Sequence, residues 1–206
     1  MSALIVVGTD TGVGKTVFSA GLTAALNARY WKPVQSGLED ATDTETVRIL
    51  SGVDVLPEAY LLNMPASPHL SAEDMGVEID LSRLVLPQVD GPLVVEGAGG
   101  LMVPLNRQSY YLDLIAQWQA PVVLVARTAL GTINHTTLSL MALGGAGCEV
   151  VGVAFVGEPE PDVEQTIVEM SNTRHLGRLP VLNDLTQQTL KDAFSEIDMA
   201  TIRRFL

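Results

Sequence analysis

At 206 residues, with 47% apolar and 17% charged side chains, the chain can fill one sizeable core and falls outside the disordered class. Its net charge of −12 gives no long-range attraction to nucleic acid or to an anionic membrane, so any anionic ligand must be captured by local amides and individual lysines. Cys148 is the only cysteine, which excludes an intrachain disulfide and a thiolate-held metal cluster. The start of the chain lacks a signal peptide's basic and long apolar regions, and no apolar run approaches a membrane span, so the reading is a soluble cytoplasmic protein.

Residues 3–7 (ALIVV) read as a buried parallel strand and residues 17–28 as a helix. Between them lies GTDTGVGKT, Gly8 to Thr16. Strand, glycine-rich turn and helix in that order are what a phosphate-binding loop needs, because successive amides in such a turn point inward and the helix adds its positive end. Thr11, Gly12, Val13, Gly14, Lys15 and Thr16 are therefore nucleotide-binding candidates. Lys15 would reach the β- and γ-phosphates, and the Thr16 hydroxyl would ligate Mg²⁺. Five residues separate Gly8 from Gly14, one more than the common spacing.

Residues 29–34 read as a short strand running into KPVQSG, where Pro33 and Gly37 stop regular structure and leave Lys32 and Ser36 at a strand's carboxyl end. In an open parallel sheet that edge is where ligands bind. A helix over 41–51 carries Asp43 and Glu45 in its first turn, where carboxylates ordinarily serve as dipole partners. Residues 52–78 read as irregular, with 65–69 (PASPH) as a rigid loop. Residues 80–88 suggest a helix capped by Asp80. A strand over 92–95 ends in Glu96, followed by Gly97, Ala98, Gly99 and Gly100. A carboxylate there suits a second Mg²⁺ contact or a water-positioning group, and the glycines allow backbone to approach a ligand.

Further on, 110–119 reads as a helix and 121–126 as a buried strand. The loop from Arg127 to His135 leads into a helix through Leu143, and the amides near Gly131 and Thr132 form a candidate anion site at its start. His135 reads as a structural or capping residue, and Cys148, at a helix end before a strand, as a small core residue. A strand over 150–156, a helix over 162–172, a strand over 176–180 and terminal helices over 186–195 and 197–205 complete the chain. Strands alternating with helices throughout predict an α/β fold: a single domain, residues 1–206, with a parallel sheet covered on both faces.

Together, GTDTGVGKT, KPVQSG (32–37), SPH (67–69), EGAGG (96–100) and LGTINH (130–135) resemble the dethiobiotin synthetase family in content and order, over roughly the first two-thirds of the chain. The long phosphate-loop spacer is similar to that family's own version. The resemblance implies a P-loop NTPase fold and an ATP- and Mg²⁺-dependent cyclo-ligase that makes dethiobiotin, the penultimate intermediate of biotin synthesis, from 7,8-diaminopelargonate and CO₂. It implies a carbamate on one substrate amine, a carbamic–phosphoric anhydride, and ring closure by the second amine. Lys15 and Lys32 would be the cation clamps, and Thr16, Asp43 and Glu96 the Mg²⁺ oxygens. Ser36 would serve the carbamate, and Leu130, Gly131, Thr132 and Ile133 the distant substrate carboxylate, from the neighbouring subunit of a homodimer. The family's base-reading asparagine is missing after the strand at 150–156, so base contacts fall to backbone around Gly157, joined by Pro180 and Leu182.

Two other readings compete. A partitioning or division-site ATPase of the ParA/MinD type would carry an extra lysine near the loop's start, where Thr9, Asp10 and Thr11 stand, and a basic face or tail at odds with the charge of −12. A cobyrinic acid amidating enzyme would be larger and carry a glutaminase cysteine.

Overall fold

A computed structural model describes residues 2–206. The elements follow as β1 (Ser2–Gly8), α1 (Lys15–Leu26), β2 (Arg29–Trp31), β3 (Val34–Ser36), α2 (Asp43–Ser51), β4 (Tyr60–Leu62), α3 (Pro68–Asp74) and β5 (Pro92–Glu96). Then come α4 (Tyr111–Trp118), β6 (Val122–Arg127), α5 (Thr132–Gly145), β7 (Val150–Val156), α6 (Pro161–Ser171), β8 (His175–Leu179), α7 (Gln187–Ala193) and α8 (Met199–Ile202).

Six strands form one parallel sheet in the order β2-β5-β1-β6-β7-β8. The chain runs from β1 to one edge and back through β5, then crosses to β6 on the other side. The carboxyl end of β1 is therefore the point where connections change direction, and a crevice opens there. Successive residues of β1 feed opposite faces, as strand periodicity demands. Ala3, Ile5 and Val7 pack with Trp31, Tyr111 and Leu114, while Leu4 and Val6 pack with Phe18, Leu22 and Phe194. Burial on both sides is why the strand is apolar without interruption.

Several local expectations are corrected. The strand read over 29–34 is two strands in two sheets: β2 joins the large sheet, and β3 pairs in parallel with β4 in a separate two-stranded sheet. Pro33 lies at the break, where it has no N–H to offer a ladder, and its carbonyl accepts the amides of Ala59 and Tyr60. The stretch 52–78 is not wholly irregular, since it holds β4 and α3. Pro68 and His69, read as loop, are the first turn of α3, where proline's fixed φ suits the helix start. Within 80–88 only the 3₁₀ turn Leu81–Arg83 forms, capped as expected by Asp80, which accepts the Ser82 amide at 2.8 Å. Trp118 Nε1 donates to the Leu84 carbonyl, using the acceptor that a longer helix would need. The terminal helices are shorter than read, α7 and α8 each running into a 3₁₀ turn, Phe194–Glu196 and Arg203–Phe205. Cys148 sits half-buried in the turn before β7, packed against the core, with its thiol pKa pushed up by burial. No helix among the described residues is long and apolar enough to cross a membrane.

Candidate active site

The phosphate loop joins β1 to α1 at that crevice. Gly14 caps α1 with φ near 93°, a left-handed conformation that glycine adopts without strain. Lys15 folds back along the loop and donates from Nζ to the Asp10 carbonyl at 2.7 Å. A Cβ on Gly8 would stand 2.8 Å from Lys15 Cδ and 2.9 Å from its Nζ, so glycine is required there for the lysine to occupy this path. Burial, reinforced by the nearby charge of Lys32, lowers the Lys15 pKa to about 8, with Glu96, Asp43 and Asp10 opposing the fall.

Two carboxylates face this loop. Val6 of β1 pairs with Glu96 at the end of β5, and the register Trp31↔Val95 brings Lys32, the residue after β2, alongside Glu96. Lys32 Nζ lies 3.2 Å from Glu96 Oε1 and 2.6 Å from Asp43 Oδ2, and also donates to the Gly97 carbonyl. The Thr16 hydroxyl is 2.7 Å from Asp43 Oδ1 and 3.0 Å from Glu96 Oε1. Tyr30, wholly buried, donates its hydroxyl to Glu96 Oε2 at 2.9 Å.

Burial alone would lower the Lys32 pKa, but Glu96 and Asp43 outweigh it and leave it raised. For Asp43 the cost of burial is likewise outweighed, by Lys32 and the Thr16 hydroxyl, and its pKa is lowered. Burial first, and Glu96 and Asp43 next, push the Tyr30 phenol well above its ordinary value, so it remains a donor.

The first turn of α2 separates its two carboxylates. Glu45 is the reciprocal partner of Thr42 in a capping box, which is the ordinary helix-terminus role. Asp43 instead turns to Thr16 and Lys32, while its backbone amide donates to Gln35 Oε1. Gln35 Nε2 donates in turn to the carbonyls of Ser36 and Gly37, tying the end of β3 to the start of α2.

Above these groups lies a cleft of about 440 Å³, bordered by Thr11, Lys32, Gln35, Ser36, Asp43, residues 65–68 and Ala98, Gly99 and Val103. The Ser36 hydroxyl oxygen is buried without a hydrogen-bond partner. Leu130, Gly131, Thr132 and Ile133 do not join this cleft; they border a separate, more apolar cavity of about 690 Å³ between α5 and α6. Around Gly157 both backbone polar groups are already engaged within the chain. Its amide donates to the Leu179 carbonyl, and its own carbonyl accepts from Arg178. The expectation that backbone here reads a base is thereby narrowed to the second lone pair of that carbonyl and to its neighbours. Pro180 has no amide to give, and Leu182 is half-buried against the core.

Reading the sequence missed Tyr30 and Gln35. A signal for Tyr30 was present, since it stands two residues before Lys32 and strand alternation turns both the same way.

A family model described as an AAA domain matches residues 2–189. The chain is 59% identical to the ATP-dependent dethiobiotin synthetase of Brucella anthropi, over 93% of this chain and 92% of that one. It is 57% identical to the enzyme of the same name from Novosphingobium aromaticivorans, over 95% and 96%.

The chain belongs to the dethiobiotin synthetase family.

Among solved structures, the MinC:MinD cell division complex of Aquifex aeolicus aligns at a TM-score of 0.58 with 12% identity, covering 99% of this chain and 95% of that one. The pNOB8 ParA structure bound to nonspecific DNA aligns at 0.58 with 11% identity, covering 98% of each chain. These likenesses show the fold alone, a parallel sheet flanked by helices.

Proposed function

We propose that this chain converts 7,8-diaminopelargonate, CO₂ and ATP to dethiobiotin, ADP and phosphate in the cleft where Lys15, Lys32, Asp43 and Glu96 meet. Identity near 58% across almost the whole length to relatives named ATP-dependent dethiobiotin synthetase supports the reaction. The observation that carries the location is the pairing of Lys32, from the end of β2, with Asp43 and Glu96 beside an open cleft, with Lys15 at the start of α1 near enough for its charge to interact with both carboxylates.

One substrate amine adds to CO₂, losing a proton, and becomes a carbamate. The carbamate oxygen attacks the γ-phosphorus of ATP, and ADP leaves. The second amine then attacks the carbamoyl carbon and expels phosphate, closing the ureido ring. Charge spread over phosphoryl oxygens in the second step needs fixed cations more than covalent help. Lys15 lies where the loop's amides would hold phosphates. Lys32 is within reach of the Ser36 side of the cleft and neutralises the carbamate. The unpartnered Ser36 hydroxyl is a ready donor to it.

The Thr16 hydroxyl lies within hydrogen-bond distance of both Asp43 and Glu96, although no cluster of three or more His, Cys, Asp or Glu that could hold a metal exists among the described residues. Two carboxylates and a hydroxyl fit Mg²⁺, and Thr16, Asp43 and Glu96 would hold that ion, which would supply positive charge to the transferring group. The amides of residues 11–14 and the backbone of Gly97 and Gly99 flank the same nucleotide. Gly157, Pro180 and Leu182 lie toward its base.

The working unit in this proposal is a cytoplasmic homodimer of single-domain subunits. Support comes from the cavity at Leu130–Ile133 standing apart from the Lys32 cleft, and from the exposure around it of Leu130, Ile133, Leu138, Met141 and Met170. A patch of this kind marks an interface. A second copy would bring the α5 amides over the first copy's cleft.

The deciding experiment measures phosphate release with ATP, bicarbonate and Mg²⁺, with and without the diamine, and assays dethiobiotin by mass. Release that requires the diamine and matches product is expected. Hydrolysis indifferent to the diamine would favour a nucleotide switch of the MinD and ParA kind.

A further inference from the structure

Glu96 differs from its neighbour Asp43 in being wholly enclosed, with none of its side chain exposed against 32% for Asp43. Its two oxygens have separate duties. Oε1 receives the Thr16 hydroxyl at 3.0 Å and Lys32 at 3.2 Å, and Lys32 itself borders the cleft. Among the described residues, Oε2 receives only the Tyr30 hydroxyl, at 2.9 Å. The Tyr30 ring is wholly buried in the α1-side core with Phe18 and Val94, so its hydroxyl is delivered from a fixed position. A carboxylate is otherwise free to turn and to accept at either oxygen. With Oε2 occupied from below, the carboxylate plane is set and Oε1 alone is offered toward Thr16.

We infer that Tyr30 is a positioning residue, whose hydroxyl orients Glu96 for the divalent cation that arrives with the nucleotide. The inference rests on reading this cleft as the metal–nucleotide site. Groups that orient ligands from behind in this way are typically worth about 10- to 100-fold in metal affinity.

The test is ATP binding by calorimetry, in EDTA and across a Mg²⁺ series, for the parent, Tyr30→Phe, Glu96→Gln and the double variant. Phenylalanine keeps the ring and its packing. Tyr30→Phe is expected to raise the Mg²⁺ concentration for half-maximal tightening about tenfold, with affinity in EDTA unchanged. In the Glu96→Gln background the same substitution is expected to add nothing. That background also removes the buried charge, so the pair supplies a folded comparison if Tyr30→Phe alone does not fold. Equal weakening in EDTA and in Mg²⁺ would make Tyr30 mere core packing and overturn the inference, as would an unchanged Mg²⁺ dependence, or a further Mg²⁺ effect when Tyr30→Phe is added to Glu96→Gln. Should Glu96→Gln itself leave the Mg²⁺ dependence untouched, the metal reading of the cleft falls, and the role of Tyr30 with it.

Discussion

The floor of the cleft and the α5–α6 rim are built on opposite plans. On the floor, Lys32 and Glu96 are buried, paired and held by neighbours from α1, β2, β5 and α2. On the rim, Leu130 is fully exposed, and Ile133, Leu138, Met141 and Met170 present apolar surface on the single chain. The floor is complete within one chain because buried charges are tolerated only when partners are in place before any ligand arrives. The rim needs no such completion, since an apolar surface waits in water at modest cost. The groups proposed for phosphoryl transfer thus meet within one chain, while the surface proposed for the substrate's far end is open to a second copy.

Removing a lysine from the floor tests the comparison most severely. Lys32→Ala is expected to cut dethiobiotin formation by about 10³-fold, with a much smaller loss of nucleotide affinity. It should also cost about 3–5 kcal/mol of stability, because Glu96 stays buried without its cation. Lys15→Ala should lose turnover and nucleotide affinity together. Steady-state kinetics, nucleotide titration and denaturant unfolding separate these outcomes; parallel losses in both variants would erase the distinction between the two lysines.

The rim is probed by Leu130→Asp. A charge on this exposed patch is expected to shift the protein toward monomer and raise the diamine KM about tenfold, while nucleotide affinity holds. Sedimentation and kinetics on one sample check it, and a monomer with parental KM would detach the rim from the substrate.

The smallest effect is a proton count. With a Lys15 pKa of about 8, the free folded chain has lost this proton between about pH 8 and 10.5 while the unfolded chain still holds it. Ligand-free stability should therefore rise with pH across that window. Phosphates beside Lys15 reverse the depression, so ATP binding near pH 9 should take up a fraction of a proton. Calorimetry in buffers of differing ionisation enthalpy measures the uptake, and its absence would place Lys15 away from the phosphates.

What could be read from the sequence follows from how local each signal is. The phosphate loop is contiguous, and the strands buried on both faces are apolar without break, so both were legible. Glu96 was legible as a carboxylate closing such a strand. The choice of Asp43 over Glu45 was legible only through the family resemblance, because physically it turns on which side chain closes the Thr42 capping box. The role of Tyr30 depends on a partner 66 positions away, brought near only by the β2–β5 pairing. Both β3 and β4 are three residues long and escape any periodicity.

The contact from Lys15 to the Asp10 carbonyl gives the phosphate loop an occupant of its own. A hydrogen bond from a charged donor is worth about 1.5–3 kcal/mol, so an anion that draws the lysine away from Asp10 starts with a deficit of that size. An anion that meets the lysine alone merely exchanges one oxygen for another. A chain of phosphates that also fills the loop's amides gains several contacts for the one it breaks. If this loop holds phosphates as proposed, the parked lysine would favour polyphosphates over simple anions.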